Sequence, residues 1–211
     1  MPEHRYSKYA IFVSEMKLYH GSATAGIESL HPAEDDTVGS GVYLTSEPRH
    51  AIGYALARVS HSATAVLYET RISNLVLLDL RNDDAVREVM HEFAAILWKE
   101  LSKANLHWAW ERAILNSLEQ IGSGKFNHGN IKTITQCCGK LFSSFIQSLG
   151  FDGLIATEGG EHWYQNGKGH EIGNHDSYVI FDPNKVTVLS GRMMKLENFY
   201  DFNTSSTCDS T

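Results

Sequence analysis

"GSGVYLTSEPRHAIGYA", residues 39–55, decides how the chain is read. It opens on a turn-rich Gly-Ser-Gly and runs into a short apolar strand, "VYLT". Ser46 then stands as the N-cap of a helix beginning in "EPRHAIGYALARVS", residues 47–60. Tyr43 falls on the strand and Tyr54 on the helix, eleven residues apart. Just upstream, "MKLYHG" (16–21) reads as another short strand, ending on His20 and Gly21. A His at a strand end can hold a sugar hydroxyl through a ring nitrogen. Gly21 has no Cβ, so a ligand can lie against its backbone, where N–H and C=O match a carboxamide. Two phenol rings can sandwich a flat cationic ring. Ring, carboxamide and ribose together describe the nicotinamide end of NAD.

Working outward, "TAGIESL" (24–30) suits a short helix and "HPAEDDTVGSG" (31–41) a loop, while residues 1–15 read as an arm. "TAVLYETRIS" (64–73) and "LVLLDL" (75–80) are predicted as two strands. Residues 82–122 are rich in helix formers, with apolar positions at Val86, Val89, Phe93, Ile96 and Leu97 and a break expected near 102–107. Residues 131–150 read as one more helix, stopped by Gly150. "FDGLIATE" (151–158), "SYVIFD" (177–182) and "KVTVLS" (185–190) read as strands, and the glycine-rich 159–176 between the first two as a loop. Strands early and late with helices between them predict an α+β fold, a split β core flanked by helices. A single domain over 1–200 is expected, with a helical block at 82–148 and a disordered tail at 201–211.

The 211 residues can bury a core without staples. Composition is globular, 42% hydrophobic and 20% charged. A net charge of −7 disfavours nucleic acid at long range unless a local basic patch exists. Three cysteines, two of them adjacent, give neither a disulfide framework nor a metal spacing. His170, His175 and Asp176 lack a fourth ligand, so no metal is expected. The opening residues hold no signal-peptide pattern and no apolar run reaches the roughly 20 residues of a membrane span. The expectation is a cytoplasmic protein with no membrane partner, export as an effector aside.

"YHGS" at 19–22, "GSGVYLTSEPRHAIGYA" at 39–55, "LGFDGLIA" at 149–156 and "SYVIFDPNKV" at 177–186, in that order, resemble ADP-ribosyltransferases. The type is that of diphtheria toxin and the poly-ADP-ribose polymerases, in a compact bacterial or phage form. The resemblance spans roughly 16–80 and 145–190. It implies a mono-ADP-ribosyltransferase that cleaves NAD as co-substrate and passes ADP-ribose to a macromolecular acceptor, protein or nucleic acid. It further implies a toxin of a toxin–antitoxin or phage-defence system, or an effector, with an antitoxin or inhibitor docking near 82–122. The implied NAD-binding residues are His20, Gly21, Ser22, Tyr43, Leu44, Thr45 and Tyr54. The implied catalytic residues are His20, Tyr43, Asp176 and Ser177.

Two departures are visible. The family's Glu, immediately before its Tyr-containing strand, is here Ser177, with Asp176 one residue earlier. Ala51 stands where the polymerase relatives carry a Ser for the carboxamide. Neighbours on a regular strand face opposite ways, so Asp176 reaches the slot only through a bulge or turn. Glu158, Glu161 and Glu171 are its rivals. The same departures fit a retired NAD- or ADP-ribose-binding module, or an NAD glycohydrolase with water as acceptor.

Overall fold

Strand β1 (Ala10–Ser22) and strand β4 (Ala65–Asp79) pair antiparallel along nearly their whole length, from Ala10 opposite Leu78 to Ser22 opposite Val66. They belong to a computed structural model that describes residues 5–58, 65–101, 108–124, 128–159, 161–165 and 168–194. Within the expected arm at 1–15, strand begins at Ala10, after a 3-10 turn over Ser7–Tyr9. Charged side chains along the ladder pair diagonally across it, Lys17 with Glu69 at 3.2 Å and Arg71 with Glu15 at 3.8 Å. Residues 5–9 are tied to helix α2 (Asp83–Leu101), where the Tyr9 hydroxyl donates to Glu88 at 3.0 Å and Lys8 pairs with the same carboxylate at 2.8 Å. The two strands expected at 64–73 and 75–80 are one. Asn74 takes a left-handed φ of 55° between them, a conformation asparagine tolerates, and the ladder continues past it.

Strand β3 (Gly39–Thr45) pairs with β8 (His175–Ile180), β8 with β5 (Gly153–Glu158), and β5 runs parallel to β4. Tyr19 lies opposite Thr45, so β1, β3, β8, β5 and β4 close into a ring. Strand β9 (Val186–Met194) extends the sheet beyond β4, and β2 (Ala33–Asp36) pairs with β3 inside the segment expected as loop. Asp152 joins the ring at its parallel seam. Its carboxylate accepts from the Val76 N–H at 2.8 Å and binds Lys185 at 2.5 Å.

Helices α2, α3 (Trp108–Gly122), α4 (His128–Cys137) and α5 (Gly139–Ser148) cover one face of the sheet. Phe93, Met90, Ile114, Phe142 and Phe145 pack there with Leu154 and Val179. The other side holds Leu18, Val42, Leu44, Ile72, Leu75, Leu77, Ile155 and Ile180. Helix α1 (Pro48–Arg58) buries Ala51, Ile52 and Ala55 against Leu67 and Met194. The protein is α+β, as its strand and helix pattern predicts. The break expected at 102–107 and the tail at 201–211 lie outside the described residues. Among the described residues no helix is long and apolar enough to cross a membrane.

Three local expectations are corrected. Residues 24–30 are not helical. The Tyr68 hydroxyl donates to the Thr24 carbonyl at 2.8 Å and accepts from the Ile27 N–H at 3.0 Å, satisfying an extended turn from the sheet side. The helix expected over 131–150 is two, because Cys138 leaves helical geometry at φ −126°, ψ 33°. The stretch 159–176 is not a plain loop but carries a hairpin of β6 (Glu161–Gln165) and β7 (Lys168–Ile172).

Candidate active site

A cavity of about 230 Å³ opens where β1 ends, between β3, β8, the end of β5 and α1. His20 and Gly21 reach it from β1, Tyr43, Leu44 and Thr45 from β3, and Ala51 and Tyr54 from α1. Glu158 from β5 and His175 and Ser177 from β8 close the far wall. The volume is just under that of pockets holding whole drug-sized ligands, so it suits one ring and a sugar.

The His20 Nδ1–H donates to the Tyr43 carbonyl at 2.9 Å, which fixes the tautomer and presents Nε2 as an acceptor. The Tyr43 hydroxyl donates to the Gly39 carbonyl at 2.7 Å and accepts from the Val38 N–H at 2.9 Å. The phenol is thus anchored at its tip, and its ring has one orientation to offer a ligand. Gly21 serves a purpose that composition does not reveal. A Cβ there would lie 1.7 Å from the Ala51 carbonyl oxygen, so the missing side chain is the seat of α1. Ala51 is buried at this crossing, which requires a small residue where the resembling enzymes carry Ser.

On β8, His175 and Ser177 share the slot face and Asp176 points to the other, as alternation requires. No bulge turns it inward. Arg81 holds the Asp176 carboxylate at 2.6 Å and grips Asp79 through Nε at 2.7 Å and a second guanidinium nitrogen at 2.8 Å. The Arg81 hydrogen bonds hold the Asp79 carboxyl below its ordinary range, and both carboxylates raise Arg81. The expectation that Asp176 faces the slot is corrected. Ser22 also lies outside the lining, its hydroxyl accepting from the Thr24 N–H at 3.1 Å. Glu161 and Glu171 lie on the β6–β7 hairpin, and their side chains fall outside the described residues.

Glu158 is the carboxylate that the described slot does contain, 7% exposed and directly across the ladder from His175. An Asp176→Asn variant is accordingly expected to change any activity of this slot less than about two-fold, because the carboxylate is half-buried against Arg81 on the opposite face of β8. A rate assay beside the wild type checks it.

His50, and His175 in any role but the rejected metal ligand, are the polar groups that the sequence does not nominate. Their rings stack at 4.4 Å and 23°, and Tyr54 meets His175 edge-on at 5.5 Å. Only the spacing of His175 from Ser177, two residues on a strand, could have signalled it. His50 is buried, and burial first, then the neighbouring His175 and Arg49, push its imidazole down to about 4, with Glu47 opposing. The folded protein thus keeps His50 neutral while the unfolded chain takes up a proton below about 6.5. Stability from this group is full above pH 6.5 and is lost as pH falls toward 4. The loss is on the order of 3 kcal/mol. A His50→Phe variant keeps a ring on His175 and should flatten that part of a melting-temperature profile.

No family model matches this chain, and no curated protein matches it. Among solved structures it is similar to a chain of the M. tuberculosis MbcT–MbcA toxin–antitoxin complex. Identity is 10%, 95% of each chain is covered, and the TM-score is 0.48. A likeness of that size carries no argument about activity. The functional reading rests on the slot.

Proposed function

We propose that the protein is an NAD-cleaving mono-ADP-ribosyltransferase acting as a toxin or effector. The observation that carries this is the convergence of His20, Tyr43 and Tyr54 on one cavity whose far wall holds Glu158. In this reading the nicotinamide ring lies against the tyrosines, where a cationic ring is favoured. His20 Nε2 accepts from a ribose hydroxyl, and backbone at Gly21 meets the carboxamide. Thr45 and the backbone of Leu44 flank the ring from β3.

The chemistry suits this lining. Breaking the nicotinamide–ribose bond builds positive charge on the sugar, as in glycoside cleavage. The electrons of that bond leave with nicotinamide, which departs neutral. The protein's tasks are to orient NAD and to stabilise the sugar cation. Glu158 supplies negative charge from a buried position, where it acts more strongly than in water. The acceptor is a macromolecule, and an antitoxin or inhibitor partner is part of the same proposal.

The test is incubation of the purified protein with NAD labelled in the adenylate moiety, alone and with cell extract. Expected are nicotinamide release and label on an acceptor in the extract. Release with no labelled acceptor would make the protein an NAD glycohydrolase instead. A folded protein that releases no nicotinamide in either mixture would overturn the reading.

A further inference from the structure

His175 and Ser177 are joined in a way that ordinary packing does not require. The His175 Nδ1–H donates to the Gly173 carbonyl at 2.9 Å, which leaves the Nε2 lone pair pointing along β8. Ser177 Oγ lies 3.3 Å from that Nε2, and the two side chains are 3% and 6% exposed. A hydroxyl facing an unprotonated ring nitrogen donates to it. The ring is held on three sides: by the Gly173 carbonyl, by the stacked His50, and by the edge of Tyr54. Among the described residues the titratable groups facing it are His50 and Tyr54 from α1 and Glu158 from β5, its partner across the ladder. Ser177 itself sits between Thr45 of β3 and Ala156 of β5, at the floor of the cavity.

Resting on the NAD-cleaving reading above, we propose that Ser177 and His175 form a proton relay and that the acceptor is therefore a nucleophile that gives up a proton as it attacks. A carboxylate acceptor carries no proton and needs no base; water, a hydroxyl or an N–H or S–H group needs one. The acceptor atom bonds to the anomeric carbon as the bond to nicotinamide breaks. The acceptor proton passes to Ser177 Oγ while the Ser177 proton passes to His175 Nε2. His175 ends as an imidazolium, stabilised across the ladder by Glu158, and returns its proton to solvent. Two tasks that one carboxylate could combine are thereby divided: Glu158 faces the sugar cation, and the relay takes the proton. Ser177 touches the acceptor, and His175 is a positioning residue acting through it.

The experiment measures nicotinamide release over about pH 5 to 8, the range in which imidazoles titrate. Wild type, His175→Gln and Ser177→Ala are compared, with water as the acceptor and again with cell extract. Calorimetry gives the NAD affinity of each. Wild type is expected to lose rate on the acid side with a slope of one proton. Both variants should bind NAD within about three-fold of wild type and turn over about 100-fold more slowly. The acid limb should vanish in His175→Gln, a change that a purely structural histidine would not produce. If His175→Gln fails to fold, Ser177→Ala, which removes a single oxygen, carries the test. Wild-type release with both variants at full rate and an unchanged pH profile would overturn the relay and leave the NAD-cleaving reading standing. No release by wild type in either mixture would overturn both.

Discussion

Glu158→Gln is expected to abolish most turnover while leaving the protein folded and able to bind NAD. The substitution keeps the volume and removes the charge. Glu158 lies at the end of β5, 7% exposed, on the same face as His175 and Ser177. In the proposed reaction a negative charge held there would act on the developing sugar cation through little water. Removing one preorganised group of this kind costs about 100- to 1,000-fold in rate. NAD affinity should move far less, because the cation exists only on the way to the transition state. Nicotinamide release and calorimetry on the same preparation separate the two quantities. Full activity in Glu158→Gln, with loss in Asp176→Asn, would reverse the assignment of the two carboxylates. The structure favours Glu158 because Arg81 holds Asp176 at 2.6 Å, away from the slot.

Gly21→Ala is expected to have the largest effect on stability. The new Cβ would meet the Ala51 carbonyl oxygen at 1.7 Å and its carbon at 2.6 Å, both backbone atoms of α1. No rotamer change relieves a clash with backbone, so the helix must move away from β1. That opens the contact that buries Ala51, Ile52 and Ala55. Overpacking of this kind costs about 3 kcal/mol. In a protein of this size that is a fall of about 10 °C in melting temperature. Tyr54 rides on the same helix, so NAD binding should weaken in parallel. Thermal melts and calorimetry check both; an unchanged melting temperature would mean that α1 does not cross β1 at this point.

The second expectation differs from what the sequence alone implies about Gly21. The residue reads there as clearance for a ligand. The packing shows that helix α1 uses that space. Asp152 in "LGFDGLIA" is a similar case. It bridges the Val76 N–H and Lys185, so that stretch of the motif closes the sheet and does not line the slot.

Much of the architecture is legible in local patterns, because strand alternation, helix periodicity and turn residues act over a few positions. The strands at 42–45, 151–158 and 177–182 and the helices within 47–60 and 82–122 follow from such patterns. So does the stop at Gly150, which takes the left-handed φ of 91° that its place after α5 demands. What local patterns miss are partners far along the chain. Lys17 and Arg71 face each other across the ladder, and the two like charges are offset diagonally by Glu69 and Glu15, residues that no local pattern links. Tyr68 stops a helix at 24–30 from 41 or more residues away.

The same division holds for the slot. Residue types and their order nominate His20, Tyr43 and Tyr54, the family resemblance adds Ser177, and the strands and α1 bring all four to one cavity. Which carboxylate joins them depends on which faces of β5 and β8 meet and on where Arg81 reaches, and that is decided only when the strands pair. His175 and His50 belong to the tertiary structure for the same reason: a ring stack between a helix and a strand more than a hundred residues apart leaves no trace in either segment.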